Sequence, residues 1–281
     1  MKFIEFNYDY SKKKDFKFAL FSDLHADAKH CETEKLKRNL DYCYEHYDGI
    51  LLNGDTFSCL LPSDRKRFTL SHAFGDRDDI IDHIIDYVSD FLSPYAKKIN
   101  LVAMGNHETA ALKYYHTNPA ARLVRQLKDH GSKAIFGDYR NIVRFKFNYG
   151  DNSRVRTADL WTNHGIGAGA KRSRGVLEWD IIYSKYATDV YWQGHNHMSG
   201  TDPSGSYTYA DRNGNIKTTR KTGIRTPGWE QVEAIRDIKD DYDLKFGEER
   251  CGVPVALPQY GLLEFNLSGD DISYDVRLVN A

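Results

Sequence analysis

The chain has 281 residues, of which 41% are hydrophobic and 28% charged, and its 39 Lys and Arg nearly balance 40 Asp and Glu. This composition excludes a disordered chain, because 14 Phe, 19 Tyr and 4 Trp supply ample apolar surface for a core. The near-zero net charge argues against a general binder of nucleic acid, and no apolar run reaches the roughly 18 residues that a membrane-spanning helix needs.

The cysteine pattern and the first ten residues bear on where the protein works. Four cysteines are spaced irregularly and form no CxxC pair, which is typical of free thiols in a reducing compartment. Residues 1–10 are polar and show neither the apolar core nor the cleavage site of a secretory signal. We therefore expect a cytoplasmic protein with no membrane partner.

The first half of the chain predicts strands that alternate with helices. Short apolar runs that end in polar residues indicate buried strands, and apolar residues at a period near 3.6 indicate amphipathic helices. The predicted strands are 16–21, 50–52 and 101–104, and the predicted helices are 32–47, 80–92 and a segment from Pro119 to Gly131. Such alternation is typical of an α/β protein.

The second half adds further strands and a hairpin. Strands are predicted at 134–136, 141–147, 158–163 and 189–193, with a helix at 176–186. Asn213-Gly214 between two strand-like runs is a hairpin signal, the charged stretch 230–250 favours a solvated helix, and strand-like alternation returns over 260–279. We expect one α/β domain over 1–281 with late antiparallel hairpins, and with 200–258 as a candidate cap or insertion near the site.

Polar side chains follow five of the predicted strands. They are Asp23 and His25, then Asp55, then Asn106 and His107, then His164, and finally His195 and His197. In an open α/β sheet the carboxyl ends of the strands line one crevice, where ligands bind. A single histidine after a strand is more often a hydrogen-bonded loop residue than a ligand, but five such coincidences favour one shared site.

The residue types at these strand ends match the chemistry of a divalent metal. Imidazole, carboxylate and amide oxygen together suit Mn, Fe, Ni and Zn ions. Of the four cysteines only Cys59 lies near these positions, which argues against a closed thiolate zinc site. Seven candidate ligands are too many for one tetrahedral ion but suit two ions that share a carboxylate. Two such ions, roughly 3.5–4 Å apart, hold the attacking and leaving oxygens of a phosphoryl displacement.

The ordered motifs resemble those of a known superfamily. Asp23-Leu24-His25, Gly54-Asp55, Gly105-Asn106-His107-Glu108, His164 and Gly194-His195-Asn196-His197 resemble, in this order, the motifs of calcineurin-like metallophosphoesterases. The resemblance covers most of the chain. It implies a four-layer α/β/β/α sandwich and hydrolysis of a phosphoester by a dinuclear metal centre.

The same resemblance implies a role for each motif residue. Asp23, His25 and His197 would hold the first metal, Asp55 would bridge both, and Asn106, His164 and His195 would complete the second. His107 would donate a hydrogen bond or a proton to the substrate oxygen. A water or hydroxide that bridges the metals would be the nucleophile. Mn²⁺ is the first choice for both ions, and Fe, Zn or Ni also suit the ligand set.

One position departs from the superfamily pattern. Many of its phosphatases carry an aspartate three residues after the Gly-Asp aspartate, and that aspartate orients the catalytic imidazole; here the position is Ser58. Gly54-Asp55-Thr56-Phe57 resembles the repair-nuclease branch, but that branch has a histidine where Ser58 stands. Glu108 is a poor substitute, because neighbouring residues rarely face each other. The acid role of His107 therefore stays open at this point.

Basic and aromatic residues outside the motifs are candidates for substrate contacts. Lys171, Arg172 and Arg174 lie in a glycine-rich loop after His164 and could bind a second phosphate or a nucleic-acid backbone; solvated charges in a flexible loop are the alternative. This loop also resembles metallophosphoesterases frequent in phages and prophages. Four aromatic residues could stack on a base, although aromatic residues in hairpins are more often core or cross-strand pairs: Tyr207, Tyr209, Trp229 and Tyr260.

The sequence leaves three functions to compare. A phosphodiesterase or nuclease is favoured by the Gly54-Asp55-Thr56-Phe57 run and by the basic loop, with a nucleic acid or a nucleotide as the substrate. A phosphomonoesterase acting on proteins or nucleotides would keep the same ligands. A non-catalytic metal-binding scaffold is disfavoured, because such members usually lose one or more ligands and here all seven are present.

Overall fold

Two six-stranded sheets and five α-helices make up the protein in a computed structural model that describes residues 1–59, 78–150, 154–165, 176–230, 256–268 and 271–281. The strands are β1 (Lys2–Asp9), β2 (Asp15–Phe21), β3 (Gly49–Asn53), β4 (Ile99–Ala103), β5 (Ile135–Phe136), β6 (Arg140–Asn148), β7 (Val155–Asn163), β8 (Val190–Gln193), β9 (Gly200–Ala210), β10 (Ile216–Arg225), β11 (Gln259–Ser268) and β12 (Asp271–Asn280). The helices are α1 (Thr33–His46), α2 (Ile80–Leu92), α3 (Asn106–Tyr115), α4 (Pro119–Asp129) and α5 (Val176–Lys185), and a 3₁₀ turn covers Ser93–Lys98.

Each sheet combines parallel strands with an antiparallel hairpin at one edge. Sheet I has the order β12-β11-β2-β3-β4-β5, in which β2 to β5 are parallel and β11 and β12 are antiparallel additions. Sheet II has the order β1-β6-β7-β8-β10-β9, in which β7, β8 and β10 are parallel and β9 pairs antiparallel with β10. The α/β class and the late antiparallel hairpins are therefore confirmed.

The facing sides of the two sheets share one hydrophobic core. Phe18 of sheet I and Phe145 of sheet II are fully buried, and their ring centroids lie 4.7 Å apart. Phe265 of β11 packs against the ring of Phe145, with their centroids 5.0 Å apart. Each buried aromatic ring removes roughly 150–250 Å² from water, so this aromatic cluster holds the two sheets together.

Helices cover the outer face of each sheet. Leu40 of α1, Ile85 of α2 and Leu123 of α4 are fully buried in one cluster with the outer face of sheet I. Trp179 of α5 packs in a separate cluster with Tyr191 on the outer face of sheet II. The order helix, sheet, sheet, helix is the four-layer arrangement that the resemblance implies.

Two elements differ from the sequence analysis. β1 was not predicted, because its strand period is obscured by polar residues; only Ile4 and Phe6 are buried, and the strand pairs along β6 at the edge of sheet II. α3 begins directly at Asn106, and the sequence analysis predicts no helix between the strand 101–104 and Pro119. Residues 200–225 form β9 and β10, and 231–255 lie outside the described residues. No helix in the described part of the chain is long and apolar enough to cross a membrane.

Candidate metal centre

The five polar motifs meet at one end of the two packed sheets. Sheet I delivers its motifs after β2, β3 and β4, and sheet II delivers its motifs after β7 and β8. All eight motif residues named by the sequence lie within this cluster. Three groups of side chains there have ligand atoms within 4.8 Å of one another: Asp23, His25 and His197; His25, Asp55 and His107; and Asp55, His164 and His195.

The first group contains a buried nitrogen that suits a metal ion. His25 is buried, and its Nδ1 lies 3.0 Å from the hydroxyl of Ser58. Its Nε2 is also buried and has no hydrogen-bond partner among the described residues. His197 Nε2 lies 3.6 Å from Asp23 Oδ1 in the same group. A buried nitrogen without a partner is costly, and a cation held by these three side chains would satisfy it.

Asn106 joins the last of these three sets, Asp55, His164 and His195, to form a second group of candidate ligands whose atoms lie close together. Asn106 Oδ1 lies 3.1 Å from His164 Nε2 and 2.7 Å from His195 Nδ1. His164 Nε2 also lies 3.0 Å from Asp55 Oδ2. Carboxylate, amide oxygen and two imidazole nitrogens at such distances fit a borderline divalent ion.

The two groups are neighbours. His164 Nε2, in the second group, lies 3.7 Å from Asp23 Oδ1, in the first. Asp55 is 98% buried, its Oδ2 lies 3.0 Å from His164 Nε2 in the second group, and one of its carboxylate oxygens lies within 4.8 Å of a ring nitrogen of His25 in the first group. A central carboxylate in contact with both groups is the geometry that a shared ligand requires.

The backbone at these residues adopts a conformation that side chains rarely tolerate. Five of the seven candidate ligands have a positive φ, between 45° and 74°: Asp23, His25, Asp55, His195 and His197. Only two other non-glycine residues in the described part of the chain do so, Cys59 and His116. Each such residue costs on the order of 1 kcal/mol or more, and strain of this kind concentrates at functional sites. The sharp turns point successive side chains into one small volume.

The buried carboxylate of Glu108 holds the strained turn after β3 in place. Glu108 Oε2 accepts hydrogen bonds from the backbone N–H groups of Asp55 at 3.0 Å and Gly105 at 2.8 Å, and its Oε1 accepts one from Phe57 at 3.1 Å. Burial, and next the charge of Asp55, raises the pKa of Glu108 to about 7. Both carboxylate oxygens of Glu108 therefore bind backbone N–H groups, and Glu108 does not orient His107.

A close approach of two turns explains the glycine before His195. A Cβ on Gly194 would overlap the carboxylate of Asp23 and the hydroxyl of Ser22. The N–H of His195 donates to both carboxylate oxygens of Asp23, at 3.0 and 2.9 Å. Only glycine lets the β8 turn pack against Asp23 in this way.

Ser58 supplies the partner of His107 through its backbone. His107 Nδ1 lies 2.6 Å from the carbonyl oxygen of Ser58, and because a carbonyl only accepts, this nitrogen carries the hydrogen. The backbone N–H of His107 donates a separate hydrogen bond to Asp55 Oδ1 at 3.0 Å. The His107 side chain is 19% exposed, and its Nε2 lies 3.9 Å from Asp55 Oδ2, beside the candidate metal ligands.

Charge interactions set the protonation of the candidate ligands before any metal binds. Burial lowers the pKa of His25 to about 4, so its ring is neutral. Burial acts in the same direction on His164, but Asp55 and Asp23 outweigh it and raise the pKa of His164 to about 10. In the same way Glu230 raises the pKa of His197 to about 9.

Some candidates from the sequence lie elsewhere. Lys171, Arg172 and Arg174 lie outside the described residues. Trp229 and Tyr260 are fully buried and cannot stack on a base. Tyr207 and Tyr209 are exposed and stack on each other, with ring centroids 5.6 Å apart. Their hairpin extends past the amino end of β8, whereas the metal ligands follow its carboxyl end.

One site residue escaped the sequence analysis. Glu230 is 97% buried, and its Oε2 lies 3.2 Å from His197 Nδ1. The sequence places it at the start of the charged stretch 230–250, for which a solvated helix is the simplest interpretation. No local motif marks it, because its partner lies 33 residues earlier in the chain.

Comparison with known proteins identifies the family. A family model for the calcineurin-like phosphoesterases matches residues 16–213, which is more than half of the chain and includes all five motifs. The chain belongs to this family. As a calcineurin-like phosphoesterase, it is a metal-dependent hydrolase of phosphoester bonds. No match was found among curated proteins.

Three solved structures are similar to this calcineurin-like phosphoesterase at low sequence identity. Vacuolar protein sorting 29 from Cryptosporidium parvum is 13% identical with a TM-score of 0.39, and the match covers 96% of this chain and 100% of that one. The GAP50 anchor in the inner membrane complex of Plasmodium is 13% identical with a TM-score of 0.47, covering 95% and 85%. A metallophosphoesterase from Sphaerobacter thermophilus is 10% identical with a TM-score of 0.34, covering 93% and 88%.

Proposed function

We propose that this phosphoesterase hydrolyses a phosphodiester with two divalent metal ions held side by side. The observation that carries the proposal is the pair of adjacent ligand groups that meet at Asp55. The first ion would be held by Asp23, His25 and His197, the second by Asn106, His164 and His195, and Asp55 would lie between them. All seven ligands are present and converge, which favours an enzyme over a non-catalytic scaffold.

The protein's own residues define the reaction around these ions. When bound, the two ions supply Lewis acidity that activates a water and neutralises charge on the phosphoryl oxygens. Asp55 holds His107 through the backbone N–H of that residue, while the Ser58 carbonyl fixes the hydrogen on Nδ1. The neutral ring then accepts at Nε2, and the protonated ring donates from Nε2 to the leaving oxygen. His107 is thus the proposed general acid.

The choice of a diester, of Mn²⁺ and of the cytoplasm rests on the sequence. The Gly54-Asp55-Thr56-Phe57 run resembles the nuclease branch, and Lys171, Arg172 and Arg174, which follow His164 in the sequence, would supply positive charge for a nucleic acid or nucleotide phosphate. Mixed imidazole, carboxylate and amide ligands suit Mn²⁺. The free thiols of Cys31, Cys43 and Cys59 suit a reducing cytoplasm.

A paired assay tests the substrate class. Metal-stripped protein is reloaded with Mn²⁺ and offered bis-p-nitrophenyl phosphate and p-nitrophenyl phosphate side by side. We expect a clear preference for the diester. Preference for the monoester would replace the proposal with a phosphomonoesterase, and inactivity on both with two ions bound would favour the scaffold.

A further inference from the structure

Glu230 lies between two histidines beside the first candidate metal group. Its Oε2 is 3.2 Å from His197 Nδ1, and its Oε1 is 3.4 Å from His30 Nε2. The carboxylate is 3% exposed, whereas the His30 side chain is 21% exposed. Glu230 therefore connects the candidate ligand His197 to a histidine nearer the surface.

The backbone around Glu230 is tied to the same turn that carries Asp23. The N–H of Trp229 donates to the carbonyl of Asp23 at 3.0 Å, and the N–H of Glu32 donates to the carbonyl of Trp229 at 2.7 Å. Glu230 itself forms an isolated antiparallel bridge with Cys31. These contacts fix the carboxylate relative to the candidate metal group, so its position does not depend on a free loop.

Gly228 leaves the space that His197 occupies. A Cβ at residue 228 would lie 2.5 Å from His197 Nδ1. The imidazole therefore packs directly on the backbone of this segment, with one nitrogen toward Glu230 and the other toward Asp23. The segment 228–230 fixes both the place and the direction of the ring.

We propose that Glu230 is a positioning residue of the metal centre, which orients His197 by binding its Nδ1 and so presents Nε2 to the metal. An imidazole that contacts a carboxylate through one nitrogen keeps the lone pair of the other for a metal, and it becomes a stronger ligand. His197 Nε2 lies 3.6 Å from Asp23 Oδ1, on the side of the ring that this orientation requires. The inference rests on the proposed function, because it assigns His197 to the first ion.

Metal titration of a matched pair of variants tests the inference. E230Q keeps the shape of the side chain but removes its charge, and E32Q makes the same change at a neighbouring acid whose carboxylate contacts Lys35 at 3.1 Å. Metal-stripped wild type, E230Q and E32Q are titrated with Mn²⁺ by calorimetry, and the visible spectrum of the Co²⁺-loaded proteins reports the ligands. We expect E230Q to bind one of two ions about 10–100-fold more weakly with an altered Co²⁺ spectrum, and E32Q to match the wild type.

A second variant keeps the inference testable if E230Q does not fold. G228A leaves Glu230 in place but inserts a methyl group against His197, so we expect it to weaken the same ion. Wild-type affinity for both ions in folded E230Q, or in folded G228A when E230Q does not fold, would overturn the inference. Loss of one ion in E230Q from a protein that hydrolyses neither test ester would instead support the positioning role and contradict the proposed function.

Discussion

His107 and Ser58 are joined by a contact of 2.6 Å between an imidazole nitrogen and a backbone carbonyl. The resemblance to the superfamily implies that many of its phosphatases have an aspartate at the position of Ser58, which orients the imidazole. Here the side chain of Ser58 turns instead to His25 Nδ1, at 3.0 Å. The backbone carbonyl thus takes the place of a carboxylate against the His107 ring, which is compatible with the acid role proposed for His107.

Because the Ser58 carbonyl contacts His107 and the Ser58 hydroxyl contacts His25, the effect of changing Ser58 can be predicted. In S58A the carbonyl remains, so we expect kcat at saturating Mn²⁺ to stay within about threefold of the wild-type value. Loss of the hydroxyl contact to His25 removes one hydrogen bond, worth about 1 kcal/mol, and should weaken Mn²⁺ binding by less than tenfold. Steady-state kinetics at several Mn²⁺ concentrations separate the two effects. A large fall in kcat at saturating metal would show that the side chain orients His107.

A second prediction concerns His107 itself. H107Q removes the proton donor but none of the seven proposed ligands, so we expect two bound ions and a kcat lower by about 10²–10⁴-fold. Metal analysis and steady-state kinetics measure both effects. Unchanged turnover would remove His107 from the mechanism, and loss of an ion would make it a ligand.

The shared position of Asp55 leads to a third prediction. D55N removes the carboxylate that is proposed to be shared by both groups, whereas H195A removes a ligand of the second group alone. We expect both variants to be inactive, with D55N weakening both ions and H195A weakening one. The matched control is D86N, which changes an exposed aspartate on α2 in the same way, and we expect its activity and metal binding to equal those of the wild type. If D55N and H195A lose the same single ion, Asp55 does not bridge.

The sequence predicted the parts of the centre that depend on local order. Asp23, Asp55 and His195 each follow an apolar run, and strands that end at one edge of a sheet bring such residues together. Glu230 could not be found in this way, because its role depends on a tertiary contact with His197. The Ser58 carbonyl escaped for a different reason: every residue has a carbonyl, so no residue type signals its use.

In the fold, too, the elements with a local sequence pattern could be predicted, and those that depend on tertiary contacts could not. α2 was predicted from 80 to 92 and is found there, because its buried residues recur at helical spacing. β1 was missed because an edge strand buries only Ile4 and Phe6, too few for a visible pattern. The positive φ of Asp23 and four other candidate ligands was equally invisible, since the strain is maintained by surrounding contacts such as those of Glu108.

The pKa values of the metal-free histidines predict how metal binding depends on pH. The pKa of His164 is raised to about 10 and that of His197 to about 9, so both rings are protonated at pH 7.5, whereas His25, at about 4, is already neutral. A metal binds only the neutral ring, so each of the two ions must displace a proton. We expect release of close to two protons per protein at pH 7.5, and a Mn²⁺ affinity that rises with pH until about pH 9–10.

Calorimetry in two buffers of different ionisation enthalpy measures this release. The same raised pKa values also stabilise the metal-free fold, because the native state binds these protons more tightly than the unfolded chain does. This stabilisation is complete below about pH 6.5, and it is lost as the pH rises through about 9 and 10. E230Q is the informative control, since loss of the carboxylate charge lowers the pKa of His197, and fewer protons should then be released on metal binding. Equal release in E230Q and wild type would mean that Glu230 does not hold the proton on His197.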